Sequence, residues 1–87
     1  MSVSPQLDFL TRPDCHLCDD MRQVLDEILP QLGLGYRIVD VDSDPALVQR
    51  FGDSVPVLLR DGRPVAKVRI GADQLRRIVR RRRFRQH

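Results

Sequence analysis

The sequence predicts a single α/β domain with elements in the order β-α-β-α-β-β-α. Three observations carry this expectation. First, a stripe of apolar residues at helical spacing, Leu17 to Leu29, lies between two short strand-like runs. Second, Asp61-Gly62 separates two further strand-like runs, which is a hairpin signal. Third, the only two cysteines of the 87 residues form Cys15-His16-Leu17-Cys18 where the first strand meets the first helix. A strand-helix-strand unit implies two parallel strands joined by a right-handed crossover, and a hairpin adds an antiparallel pair. Together they predict a central four-stranded mixed sheet with flanking helices.

The elements follow in order. Gln6–Thr11 reads as the first strand, with Leu7, Phe9 and Thr11 alternating against Gln6, Asp8 and Leu10. In the first helix Leu17, Met21, Val24, Leu25, Ile28 and Leu29 form one buried stripe, while Asp19, Asp20, Arg22, Asp26 and Glu27 fall off it. Asp19 and Asp20 suit the positive end of the helix dipole. Pro30 is expected to end or kink this helix, and Gly33 and Gly35 to finish the turn. Tyr36–Val41 reads as the second strand. Asp44 is expected to cap a short second helix, Ala46–Phe51, with Pro45 at its first position and Gly52 closing it. Val57–Arg60 and Pro64–Ile70 are the hairpin strands. Asp73 is expected to cap the last helix, whose apolar face is Leu75, Ile78 and Val79 and whose packing stops near Arg80.

Composition bounds the function. Hydrophobic residues make up 41% and charged residues 31%, as in globular proteins. Apolar runs fall far short of the roughly 20 residues of a membrane helix. Met1–Pro5 has neither the basic start nor the apolar core of a secretory signal, so a cytoplasmic monomer that does not engage membranes is expected. The net charge of +3 hides an asymmetry. Residues 1–75 hold eight basic and twelve acidic side chains, whereas residues 76–87 hold seven arginines and no acid. The expected organisation is one domain over 1–87, with 82–87 a mobile basic tail. That tail reads either as a solvated helix end or as a weak contact for nucleic acid or another polyanion.

The Cys-x-x-Cys pair carries the chemistry. Disulfide exchange needs one thiolate that attacks and a second that resolves. Cys15, at the helix N-terminus, is the expected nucleophile, because unpaired N–H groups and the helix dipole stabilise its charge there. Cys18, one turn further in and more buried, is the expected resolving thiol. His16 reads either as a solvent-facing first-turn residue or as a tuner of the Cys15 thiolate through charge or N–H donation.

Three motifs give a family resemblance over roughly residues 6–80. Phe9-Leu10-Thr11-Arg12-Pro13-Asp14-Cys15 resembles the opening of glutaredoxins. Ser54-Val55-Pro56 is similar to the segment that precedes the third strand of the thioredoxin-fold superfamily, and Ile70-Gly71-Ala72-Asp73 to the Gly-Gly-x-Asp segment of glutaredoxins. The chain thus resembles the small bacterial glutaredoxin-like proteins, with a thioredoxin-like fold. It departs from them at His16-Leu17, where glutaredoxins usually carry Pro-Tyr, and it has no tryptophan before the cysteines as thioredoxin has.

The resemblance implies a thiol-disulfide oxidoreductase that reduces protein disulfides or glutathione mixed disulfides. It implies no bound cofactor, with glutathione as a candidate co-substrate. Pro56 is implied to be cis, presenting the Val55 backbone beside Cys15 for an extended substrate. Arg12 and Asp73 match positions that contact glutathione, where Arg12 would pair with a carboxylate and Asp73 with the amino group. Without the resemblance, Arg12 reads as a surface residue and Asp73 as a helix cap.

Two rivals stand beside this reading. A metal site would draw on Cys15, Cys18 and His16, and only His87 remains to complete a tetrahedron, so no metal is expected. The other rival is a non-catalytic binding module on the same fold, working through its arginine-rich C-terminus.

Overall fold

The structure, a computed structural model, describes residues 6–84 and the side chains of residues 6–80. The strands are β1 (Leu7–Thr11), β2 (Arg37–Asp40), β3 (Val57–Arg60) and β4 (Arg63–Lys67). The helices are α1 (His16–Ile28), α2 (Pro45–Phe51) and α3 (Ala72–Phe84), with 3₁₀ turns at Pro30–Leu32 and Val41–Ser43. The expected element order is thus present. The strands form one mixed sheet in the order β2-β1-β3-β4. β1 runs parallel to β2, with Leu10 beside Val39, and antiparallel to β3, with Phe9 beside Leu58. β3 and β4 pair antiparallel, with an irregularity between Leu58 and Leu59.

Both faces of β1 are covered, so its residues are apolar more often than simple alternation requires. Leu7 and Phe9 join Leu58 beneath Cys18, Met21, Leu25 and Ile28 of α1 and Leu75 of α3. Leu10 joins Val57 and Leu59 on the opposite face, against Val41 and Phe51. The ring of Phe9 meets Tyr36 edge-on at 5.9 Å, and the Tyr36 hydroxyl donates to Asp26 at 2.6 Å. Burial, followed by that acceptor, pushes the Tyr36 phenol up from its ordinary value.

Turn chemistry behaves largely as the residues dictate. Asp61 and Gly62 both take positive φ, 51° and 85°, as a two-residue hairpin turn of this hand requires. The Asp44 carboxylate accepts from the Ala46 N–H at 2.9 Å, and Pro45 opens α2. Pro30 does not kink α1; it starts the 3₁₀ turn that left-handed Gly33 closes.

Several boundaries differ from expectation, and β1, β2 and β4 open at Leu7, Arg37 and Arg63, one residue from the expected Gln6, Tyr36 and Pro64. β2 ends at Asp40, because the Asp40 side chain accepts from the Asp42 N–H and draws Val41–Ser43 into a 3₁₀ turn. β4 ends at Lys67 rather than Ile70. Val68 adopts φ +70°, the Arg69 N–H returns to the Lys67 carbonyl at 2.7 Å, and the Val68 N–H donates to the Pro56 carbonyl at 2.8 Å. This tight turn overrides the strand propensity of Val68 and leaves Ile70 buried outside the sheet. The last helix begins at Ala72, so Asp73 is not its cap: it lies in the first turn, while Gly71 offers the first carbonyl to the Leu75 N–H. The α3 backbone continues to Phe84. The rest of the tail expected at 82–87 lies outside the described residues.

Candidate functional site

The loop between β1 and α1 turns on Asp14, which takes φ 58°, a left-handed conformation that aspartate tolerates better than most residues. The turn delivers Cys15 to the N-cap of α1 in an extended conformation (φ −116°, ψ 107°). Its Sγ accepts from the Cys18 N–H at 3.1 Å, so the sulfur satisfies one of the unpaired donors at the helix start. Cys15 and Cys18 are joined as a disulfide with Cα atoms 5.2 Å apart, inside the normal range for such bridges. The two sulfurs differ in access. Cys18 is 2% exposed within the core, whereas Cys15 is half-buried at its margin.

Around this pair the structure gathers some of the expected residues and not others. The Val55–Pro56 peptide is cis. Pro56 is buried, and Val55 packs against the same cluster as Cys15 as well as against the core on the opposite face. The Val55 N–H and C=O make no backbone hydrogen bond among the described residues. Ala72 also packs against the Cys15 cluster. His16 is exposed on the first turn of α1, without a hydrogen-bond or ion-pair partner among the described residues.

Arg12 and Asp73 are both engaged. The Arg12 guanidinium grips Asp42 with two parallel bonds, Nε–Oδ2 and Nη2–Oδ1, both 3.0 Å. Its Nη1 donates to the Gly52 carbonyl at 3.1 Å. The Asp42 hydrogen bond raises the Arg12 pKa still further, and Arg12 in turn holds the Asp42 carboxyl below the usual carboxylate range. The Asp73 carboxylate is exposed and paired with Arg76 at 3.1 Å. Among the described residues no three His, Cys, Asp or Glu side chains come together as a metal-ligand set. No described helix is long and apolar enough to cross a membrane.

Sequence reasoning did not connect Asp42 or the Gly52 carbonyl with Arg12. Asp42 and Gly52 lie 30 and 40 residues from Arg12, and nothing local marks them.

Comparison with known proteins agrees with this geometry. The family described as Glutaredoxin-like domain (DUF836) matches residues 6–80. An uncharacterized protein of Mycobacterium tuberculosis is 39% identical over 64 residues, and the match spans 68% of this chain and 66% of that protein. Among solved structures, a structural-genomics target protein from X. campestris is 32% identical, with a TM-score of 0.73 over 86% of this chain and 96% of that one. A Nitrosomonas europaea protein superposes with a TM-score of 0.78 at 20% identity, over 91% and 95% of the two chains. Thioredoxin-2 of a malaria parasite superposes at 0.63 with 18% identity, over 93% and 85%. The last two likenesses speak for the thioredoxin fold alone.

Proposed function

The chain belongs to the glutaredoxin-like family, and we propose that it works as a dithiol-disulfide oxidoreductase. The observation that carries this reading is the asymmetric pair: an accessible Cys15 sulfur capping α1, bonded to a Cys18 buried one turn further in. In the reduced protein the Cys15 thiolate attacks one sulfur of a substrate disulfide. A mixed disulfide forms and one substrate thiolate leaves. The Cys18 thiolate then attacks the Cys15 sulfur, the second substrate thiol leaves, and the Cys15–Cys18 disulfide remains. Two electrons pass to the substrate, and an external thiol reductant returns them to the protein.

The substrates we infer are protein disulfides or mixed disulfides with glutathione, acted on by a monomer in the reducing cytoplasm. In this reading Val55, packed against the same cluster as Cys15, and the adjoining Pro56 receive the substrate chain, and exposed His16, next to Cys15 in sequence, tunes its thiolate.

The test is the reduction potential of the pair, read by mass-tagged alkylation across a glutathione redox series. A two-electron transition between about −270 and −180 mV is expected. Cys15→Ser should drop disulfide reduction to the uncatalysed background, and Cys18→Ser should accumulate the mixed disulfide. A pair that stays reduced across the series would overturn the reading.

A further inference from the structure

Arg12 joins three parts of the chain at the edge of the dithiol. It lies directly after β1, at the start of the loop that delivers Cys15. Its bidentate partner Asp42 belongs to the 3₁₀ turn after β2 and is itself held by Asp40, whose carboxylate accepts from the Asp42 N–H at 2.9 Å. Its second partner, the Gly52 carbonyl, opens the segment that runs to the cis Val55–Pro56 peptide. The two loops that build the site, 12–15 and 52–56, are therefore tied to each other through one guanidinium. Exposed ion pairs usually contribute little, but a two-point fork to a carboxylate with a further bond to a fixed carbonyl is the geometry in which they hold position. Gly52 is buried, and its carbonyl is fixed because its own N–H closes α2 onto Val48 at 2.8 Å.

We propose that the Arg12–Asp42–Gly52 clamp sets the spacing between the dithiol and the Val55–Pro56 edge, making Arg12 a positioning residue for extended peptide disulfides rather than a cation for a glutathione carboxylate. The inference rests on the redox reading above. Three of the guanidinium's N–H donors are committed to protein acceptors, and its charge is matched by Asp42. A peptide disulfide that lies along Val55 while its sulfur meets Cys15 needs both loops in register. A small disulfide needs Cys15 alone.

The test compares single-turnover rates of the pre-reduced full chain with three disulfides: an uncharged, end-blocked extended peptide disulfide, bis(2-hydroxyethyl) disulfide and glutathione disulfide. Arg12→Gln, Arg12→Lys and Asp42→Asn are each expected to slow the peptide reaction by about tenfold to a hundredfold, the scale of a misplaced reacting group. The bis(2-hydroxyethyl) disulfide rate should change by less than about twofold, as for an ordinary surface substitution. Lysine keeps the charge and loses the fork, so it should not rescue. The Arg12→Gln/Asp42→Asn double variant should be no slower than either single variant, since both break one contact.

Equal losses on all three disulfides would make the clamp a plain stability element and overturn the proposal. So would a loss confined to glutathione disulfide in Arg12→Gln with a gain in Asp42→Asn, which would make Arg12 a substrate cation. Unchanged peptide rates in all variants would overturn it too. Wild type no faster than Cys15→Ser on any substrate would remove the redox reading itself, and the clamp's role with it.

Discussion

On one face of the sheet, α1 and α3 lay Met21, Leu25, Ile28 and Leu75 over Leu7, Phe9 and Leu58; on the other, α2 and the turn before it cover Leu10, Val57 and Leu59 with Val41 and Phe51. Among the described residues the first cluster has eleven buried members and the second five, so the two faces are not held by apolar area to the same degree. The thinner face adds directional contacts. Asp44 caps α2, Asp40 fixes the preceding turn, Arg12 bridges Asp42 and Gly52, and the Arg50 guanidinium sits 4.7 Å from the Phe51 ring centre. The dithiol is built into the thick face through Cys18, whereas the segment leading to the cis-proline departs from the thin one, and Val55 touches both clusters. The lesson is a division of labour: the thick side anchors Cys18, and the thin side holds the start of the segment that leads to the cis-proline.

The largest effect should come from matched core truncations. Leu25→Ala, at a fully enclosed site, is expected to destabilise by about 4 kcal/mol, and Leu59→Ala, 8% exposed on the thin face, by about 2 kcal/mol. Urea unfolding midpoints of the oxidised protein measure both, and equal losses would erase the contrast between the faces. Gly52→Ala comes next. A Cβ there would stand 2.6 Å from the Val48 carbonyl oxygen, a backbone atom that cannot swing away, so a loss of about 1–3 kcal/mol is expected in a melting experiment. A neutral outcome would show that the end of α2 has slack and that the thin face is looser than its contacts imply.

The smallest effect is the pH dependence of the Arg12–Asp42 pair. Arg12 lowers the Asp42 carboxyl below its unfolded value, so the pair's contribution is present above the ordinary carboxylate pKa. It fades as pH falls through the depressed folded value. The difference in unfolding midpoint between wild type and Asp42→Asn should thus hold steady between about pH 8 and 5 and shrink in stronger acid. A difference that grows on acidification would reverse the sign of the linkage.

Much of this was legible in the chain because local chemistry and tertiary demand agree. The stripe from Met21 to Leu29, Asp44-Pro45, Asp61-Gly62 and the cysteine spacing each specify one conformation, and the fold uses it, although Leu17, expected in the stripe, stays outside both core clusters and Cys18 is buried in the first turn instead. The misses fall where one of several competing partners, near or distant, decides. Val68 reads as strand by its branched side chain, yet the Pro56 carbonyl takes its N–H while it turns at φ +70°. Asp73 reads as a cap, but Gly71 supplies the first carbonyl of α3 and Asp73 turns to Arg76. Arg12 was visible as a cation near the cysteines; its partners across 30 and 40 residues were not.

The sulfur that caps α1 is also the atom that would react in the proposed exchange. A thiolate, a protein disulfide and a substrate-bound disulfide present three different acceptors to the same Cys18 N–H, which now lies 3.1 Å from that sulfur. The backbone thereby carries an internal label. The amide proton resonance of Cys18, and its rate of exchange with solvent, should follow the oxidation state of the pair through a catalytic cycle, with no probe attached and no residue replaced.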